Sequence, residues 1–217
     1  MTTDLIDQLR RLDTPCVSDA MDRLGVAGQC LGIMPLDRSF RLAGAAFTVK
    51  YVPAGSPPGT VGDFVDDLGP RQVAVIDNAG RVDATVWGDL MTIVARRNGL
   101  EGTVIDGVCR DISRALELNY PIYSRGHWMR TGKDRVELAA IEVPVTIGGV
   151  VVYPGDLLLG DANGVVALPG QRASEIVDVA LSIEATEGLI RGEIRAGATL
   201  RAARARNGYH QLQTRRG

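Results

Sequence analysis

Histidine and lysine are nearly missing from this sequence: His127, His210, Lys50 and Lys133 are all it has of either. The two histidines stand too far apart to read as a metal pair, and His210 falls in a polar tail. His127, beside Trp128, reads as a packed or surface residue. Lys50 reads as part of a strand, so a Schiff-base nucleophile has little to draw on. Cys16, Cys30 and Cys109 are odd in number and widely spaced. That suits neither a disulfide framework nor a zinc site, and buried or free thiols are expected. No apolar run approaches the roughly 20 residues of a membrane-spanning helix, so no membrane association is expected. Nor is there an excess of positive charge: a formal net charge of -2 gives no basic surface for a polyanion, and nucleic acid is not an expected partner. The opening MTTDLIDQLRRLD mixes acids and bases where a signal peptide has an apolar core, which predicts a cytoplasmic protein.

What is present suffices for one substantial core, and no composition break divides it, so residues 1–217 are read as one domain. Leu5, Ile6, Leu9 and Leu12 have helical spacing, and Ser18-Asp19 before Ala20, Met21 and Leu24 reads as a second helix start. From Arg41, RLAGAAFTVKYVPAGSPPGT reads as a strand entering a loop, and QVAVID (72–77) as a strand covered on both faces. Then follow a helix over 89–98 closed by Gly99, a strand over 102–106, a helix over 111–118 and a strand over 121–126. This alternation predicts an α/β fold with a parallel sheet. VPVTIGGVVVYPGD reads as a hairpin about Gly148-Gly149, and NGVVALP as a further strand. A last helical region starts near Gln171, weakened by Gly188, Gly192 and Gly197. The Arg-rich end (Arg201, Arg204, Arg206, Arg215, Arg216) reads as a solvated tail. GSPPGT has the look of a phosphate loop but lacks its lysine and the following Ser or Thr.

One stretch carries chemistry. GDLMTIVARRNGLEGTVIDGVCRD (88–111) puts polar groups at both ends of an apolar run. A helix of about 10 residues advances roughly 15 Å, and a five-residue strand returns roughly 16 Å. Asp89 and Arg110-Asp111 are therefore expected side by side at the carboxyl ends of neighbouring strands, where open α/β sheets bind ligands. Leu90 and Met91 lie in the first turn of a helix, whose unpaired N–H groups suit a small carboxylate, and Gly88 lets a ligand approach. Arg110 offers a planar fork to a carboxylate or enolate oxygen. Asp89 and Asp111 offer oxygen ligands to Mg²⁺. The same residues also read as ordinary helix caps, a surface ion pair and, at Asp106-Gly107, a turn. Trp87 reads either as a wall of the pocket or as core.

Asp89, twenty residues, then Arg110-Asp111 resembles the D-x20-R-D signature of the class II pyruvate aldolases of the RraA-like family. These cleave 4-hydroxy-4-methyl-2-oxoglutarate and 4-carboxy-4-hydroxy-2-oxoadipate. The likeness extends through RLAGAAFTV, VIDNAGRVDATVWGDL, GTVIDGVCRD, LNYPIYSRG, VPVTIGGVVVYPGDLLLGDANGVVALP and EATEGLIRGEIRAG. It implies a swivelling ββα sandwich with a central sheet, flanking helices and a C-terminal helical region. It also implies homotrimers or hexamers with the active site at a subunit boundary. By the same resemblance Asp111 ligates Mg²⁺ or Mn²⁺ directly, and Asp89 acts through metal-bound water. Arg110 binds substrate and steadies the enolate, and the amides of Leu90 and Met91 take the pyruvyl carboxylate. A glutamate from the neighbouring subunit's C-terminal region approaches the metal waters; Glu184 and Glu187 are the candidates, with Glu187 preferred. The implied activity is a lyase that releases pyruvate, with oxaloacetate decarboxylation through the same electron sink. The family also includes regulators that bind and inhibit an endoribonuclease and lack the complete signature, and this is the alternative.

Overall fold

The computed structural model describes residues 2–209. It opens with helices α1 (Thr2–Leu9) and α2 (Thr14–Arg23). The second begins earlier than Ser18 because Asp13 caps it, accepting from Cys16 N at 2.9 Å, and Pro15 fits the first turn, where its missing N–H costs nothing. The strands are β1 (Met34–Pro35), β2 (Leu42–Pro53), β3 (Gln72–Thr85), β4 (Gly102–Val108) and β5 (Ile122–Ser124), then β6 (Val136–Ile141), β7 (Val145–Ile147), β8 (Val150–Val152), β9 (Leu157–Asp161) and β10 (Gly164–Leu168). Helices α3 (Asp89–Asn98) and α4 (Ile112–Glu117) join β3 to β4 and β4 to β5. The chain closes on α5 (Ala173–Arg195) and α6 (Leu200–Arg206).

The main sheet runs β1-β5-β4-β3-β2-β9-β10, with β6 also paired to β2. The β2, β3, β4 and β5 pairings are parallel, as the alternation of strands and helices predicts. The ends of this sheet come near each other. Cys30 N donates to Val165 O at 3.0 Å and Ala167 N to Gly28 O at 2.8 Å, and a few residues later the same chain forms β1 on the edge of β5. The β7–β8 hairpin turns at Gly148-Gly149, both at positive φ, where only glycine is unstrained.

Side chains alternate along each strand and so feed different cores. Val73 and Val75 of β3 join Tyr123, Ile147 and Val165 on one face, while Ala74 and Ile76 join Trp87, Ile105 and Tyr120 under α3 and α4. A third cluster, with Leu9, Met21, Leu159 and Ile176, seats α1, α2 and α5 on β9 and β10. Each buried Val, Ile or Leu contributes roughly 1.5–3 kcal/mol, so α3 and α4 are held by packing more than by helix propensity.

Two features of the C-terminal part depart from expectation. α5 runs unbroken through Gly188 and Gly192 for 23 residues, because Ile176, Val177, Ala180, Ile183 and Ile190 bury one face and outweigh the cost of glycine. The Arg-rich segment up to Arg206 folds back as α6: Ala203 is fully buried, and Arg206 pairs with Glu193 at 2.6 Å. Arg215, Arg216 and His210 lie outside the described residues.

Candidate active site

β3 bends after Asp77, where its register with β4 shifts, and its last residues run toward α3. Thr85 is fixed there by two bonds to Arg130 O, from its N–H at 3.1 Å and its hydroxyl at 3.0 Å. Trp87 O accepts from Arg110 N at 2.9 Å, which draws the end of β4 against the start of α3. Trp87 is buried and also contributes to the lining of the cleft described below: it stacks on Tyr120 with centroids 6.3 Å apart, and its Nε1 donates to Thr92 Oγ1 at 2.9 Å. Thr92 Oγ1 in turn donates to Gly88 O at 2.9 Å, so the backbone at the site is tied to a buried aromatic pair.

The predicted residues meet around Gly88. Asp111 Oδ2 accepts from Asp89 N at 3.3 Å and lies 3.3 Å from Arg110 Nε. A Cβ at Gly88 would lie 2.9 Å from Asp111 Oδ2 and 3.3 Å from Arg110 Nε, so a side chain there would push both away. The first intrahelical bond of α3 runs from Thr92 N to Gly88 O at 3.1 Å, leaving the N–H groups of Leu90 and Met91 without a helical acceptor. Asp111 caps α4 in a left-handed conformation, φ 56° and ψ 37°, and its side chain makes no cap bond there. The Arg110 and Asp111 side chains are each 40% exposed, so both can reach a ligand from solvent.

Gly88, Asp89, Leu90, Met91 and Arg110 line a cleft of about 260 Å³ that also includes Val61, Gly62, Asp63, Thr131 and Gly132; Asp111, in contact with Arg110 and Asp89 N, is not on its lining. Val61, Gly62, Asp63, Thr131 and Gly132 had no local signal in the sequence, because they join the site only through tertiary contacts of two loops. Glu184 and Glu187 are not in the cleft. They lie on α5 and pair with Arg191, Glu187 at 3.2 Å. His127 bridges Cys109 on the backbone and does not line the cleft. Two amides of the GSPPGT loop are already spent: Gly55 N and Gly59 N both donate to Glu137 Oε2, at 2.9 and 2.7 Å, and hold that carboxyl below the ordinary range.

Among the described residues no group of three His, Cys, Asp or Glu side chains could cage a metal. Asp111 and Asp89, linked through the Asp89 backbone N–H, remain as an oxygen donor set, which fits a hard cation keeping several waters and does not fit zinc. Among the described residues, no helix is long and apolar enough to cross a membrane.

Comparison with known proteins adds a frame. The model of the RraA-like family, described as Aldolase/RraA, matches residues 14–167. A Legionella pneumophila protein named DlpA is 38% identical over 211 residues, covering 96% of this chain and 34% of that protein, so the chain spans about a third of its length. A Halalkalibacterium halodurans protein named "Putative 4-hydroxy-4-methyl-2-oxoglutarate aldolase" is 34% identical over 184 residues, 85% of each. Among solved structures, an uncharacterized Pseudomonas syringae protein superposes with a TM-score of 0.90 at 42% identity over 94% of both chains. Streptomyces coelicolor RraAS2, described as an unusual member of the RNase ES inhibitor RraA protein family, gives a TM-score of 0.81 at 29% identity. That match covers 87% of this chain and 96% of the other.

Proposed function

The chain belongs to the RraA-like family, and on that premise we propose that it is a pyruvate-releasing lyase: a divalent-metal aldolase acting on 4-hydroxy-2-oxo acids. One observation carries the reading. Asp111, Arg110 and the unpaired first turn of α3 converge around a glycine that leaves them room. The name borne by the Halalkalibacterium relative makes 4-hydroxy-4-methyl-2-oxoglutarate the first substrate to try.

The amides of Leu90 and Met91 would take the substrate's C1 carboxylate, aided by the positive end of the α3 dipole. Arg110 would lie along the C2 oxygen and neutralise it as it gains charge. A Mg²⁺ or Mn²⁺ ion held by Asp111, with Asp89 acting through water, would supply a Lewis acid that stabilises the enolate. Asp89, which lines the cleft, would pass a proton from the 4-hydroxyl side. As the C3–C4 bond breaks, its electron pair becomes the enolate of pyruvate, and C4 leaves as a carbonyl. Loss of CO₂ from oxaloacetate would leave the same enolate, so decarboxylation is expected as a second activity. In a homotrimer or hexamer we assign the remaining acid contact to the partner subunit's Glu187.

The test is pyruvate release from 4-hydroxy-4-methyl-2-oxoglutarate and oxaloacetate, followed through lactate dehydrogenase with Mg²⁺ or Mn²⁺ and then with excess EDTA. Release that EDTA abolishes supports the reading; release that survives EDTA, or none from any oxo acid, sinks it. A second reading, inhibition of an endoribonuclease, rests on the likeness to the Streptomyces protein. Capture of such an enzyme together with absent turnover would favour it.

A further inference from the structure

Helix α3 starts without the usual fastening. Its N-cap is Gly88, which has no side-chain oxygen to bond the first turn, as a Ser, Thr, Asp or Asn there would have. A glycine also leaves its flanking peptides freer to rock, because no Cβ limits the backbone. The tether comes from inside the helix. Thr92 N and Thr92 Oγ1 both donate to Gly88 O, at 3.1 and 2.9 Å, and take up the two lone pairs of that carbonyl. The hydroxyl is itself held. The indole of Trp87 can only donate, and its Nε1 does so to Thr92 Oγ1 at 2.9 Å, which leaves the hydroxyl proton for Gly88 O. Thr92 and Trp87 are each 2% exposed, so neither bond is shared with bulk water.

Gly88 O is one end of a rigid unit. The Gly88–Asp89 peptide is trans, so its C=O and the Asp89 N–H lie in one plane and point to opposite sides. Thr92 holds the inner end. The outer end is the N–H that donates to Asp111 Oδ2 at 3.3 Å. Rotation of the plane moves both ends together, and the hydroxyl buried beneath the turn therefore governs where the Asp111 carboxylate meets Asp89. Arg110 N, donating to Trp87 O at 2.9 Å, holds the preceding peptide.

Resting on the aldolase reading for its functional consequence, we propose that Thr92 is a positioning residue. Its hydroxyl, aimed by the Trp87 indole, orients the Gly88–Asp89 peptide so that the Asp89 N–H presents the Asp111 carboxylate to a divalent cation.

The experiment measures Mn²⁺ affinity, by electron paramagnetic resonance of the free ion, and pyruvate release in the wild type, Thr92→Val, Thr92→Ser and Thr103→Val. Thr92→Val keeps the shape of the side chain and removes the hydroxyl. Mn²⁺ affinity is expected to fall by about tenfold or more, the usual size of losing a partner that orients a metal ligand. Thr92→Ser retains the hydroxyl and should retain the affinity. Thr103 Oγ1 lies 2.9 Å from Tyr120 Oη, at the other side of the Trp87–Tyr120 stack, so Thr103→Val strands a buried hydroxyl without touching Gly88. It should lower the melting temperature and leave Mn²⁺ affinity unchanged. Should Thr92→Val not fold, Trp87→Phe tests the same link, because it removes the donor that aims the hydroxyl and should weaken Mn²⁺ in the same direction. Unmoved affinity in Thr92→Val or Trp87→Phe, or an equal loss in Thr103→Val, overturns the proposal and leaves the aldolase standing. A wild type that neither binds Mn²⁺ nor releases pyruvate removes both.

Discussion

Asp161 and Asp111 each meet the first turn of a helix, and the protein treats them in opposite ways. Asp161 is 3% exposed and saturated: Thr14 N and Oγ1 donate to it at 2.8 and 2.7 Å, and Asn163 adds its N–H at 2.8 Å and its amide at 3.1 Å. Asp111 is half-exposed and accepts only two long contacts of 3.3 Å. Asp77, Asp106 and Asp156 follow the Asp161 pattern, each buried: Asp77 and Asp156 each receive two backbone N–H groups, and Asp106 receives Gly148 N and the Arg125 guanidinium. A carboxylate whose lone pairs are all taken has nothing left for a ligand and serves to hold loops to the sheet. One left half-satisfied at a helix start keeps the capacity to bind something from outside, and Asp111 is of that kind.

The largest expected contrast comes from removing one charge from each class. On the proposed aldolase reading, Asp111→Asn is expected to lower pyruvate release by about a thousandfold or more while leaving the melting temperature almost unmoved, because the proposed metal ligand is lost and no packing is. Asp161→Ala is expected to do the reverse. Urea unfolding should show a loss of about 2–3 kcal/mol from the stranded donors of Thr14 and Asn163, with turnover per folded molecule retained. Gly88→Ala sharpens the contrast from the backbone side. Its φ of -145° suits alanine, yet the new Cβ would lie 2.9 Å from Asp111 Oδ2. Activity should therefore fall by about 10- to 100-fold with a stability change under about 1 kcal/mol.

A smaller effect is pH-linked. Burial pushes Asp161 up, but the bonds from Thr14 and Asn163 outweigh it and hold its pKa below the ordinary 3.8. A lowered folded value means the stabilisation is complete above the unfolded pKa and is lost as pH falls through the folded one. The gap in urea midpoint between wild type and Asp161→Asn should then stay constant from about pH 7 to about pH 5 and close below about pH 4. The smallest expected signal is none at all. Burial pushes the Cys16 and Cys30 thiols up to about 12 and Cys109 to about 11, so a disulfide-exchange reagent at neutral pH should label the unfolded chain and leave the folded one untouched.

The part of the site at the start of α3 was legible because its signals are local. α3 spans the expected 89–98 and ends at Gly99 with φ 77°, since a helical period and a left-handed glycine are both written in neighbouring residues. The spacing from Asp89 to Arg110-Asp111 follows from the lengths of one helix and one strand. The rest of the cleft lining was not legible. Asp63 and Thr131 join the lining only once Tyr51 of β2 and Glu137 of β6 fasten the 54–62 loop, and β6 carries no strand signal of its own. Its VELAAI has the composition of a helix and becomes a strand through pairing with β2. β9 was missed for a similar reason: LLLGD is a short apolar run, and its pairing with both β2 and β10 makes it a strand.

Asp111 has a backbone angle, φ 56°, that most amino acids resist, at a cost of about 1–2 kcal/mol for residues other than Gly, Asn and Asp. The position therefore screens its own successors before chemistry is consulted. A change to Val or Leu is penalised as a folding defect, while a change to Asn or Gly would, on the proposed reading, yield an intact but silent copy. Loss of activity at this one codon is biased toward chains that keep their shape, and such chains remain at hand for other work.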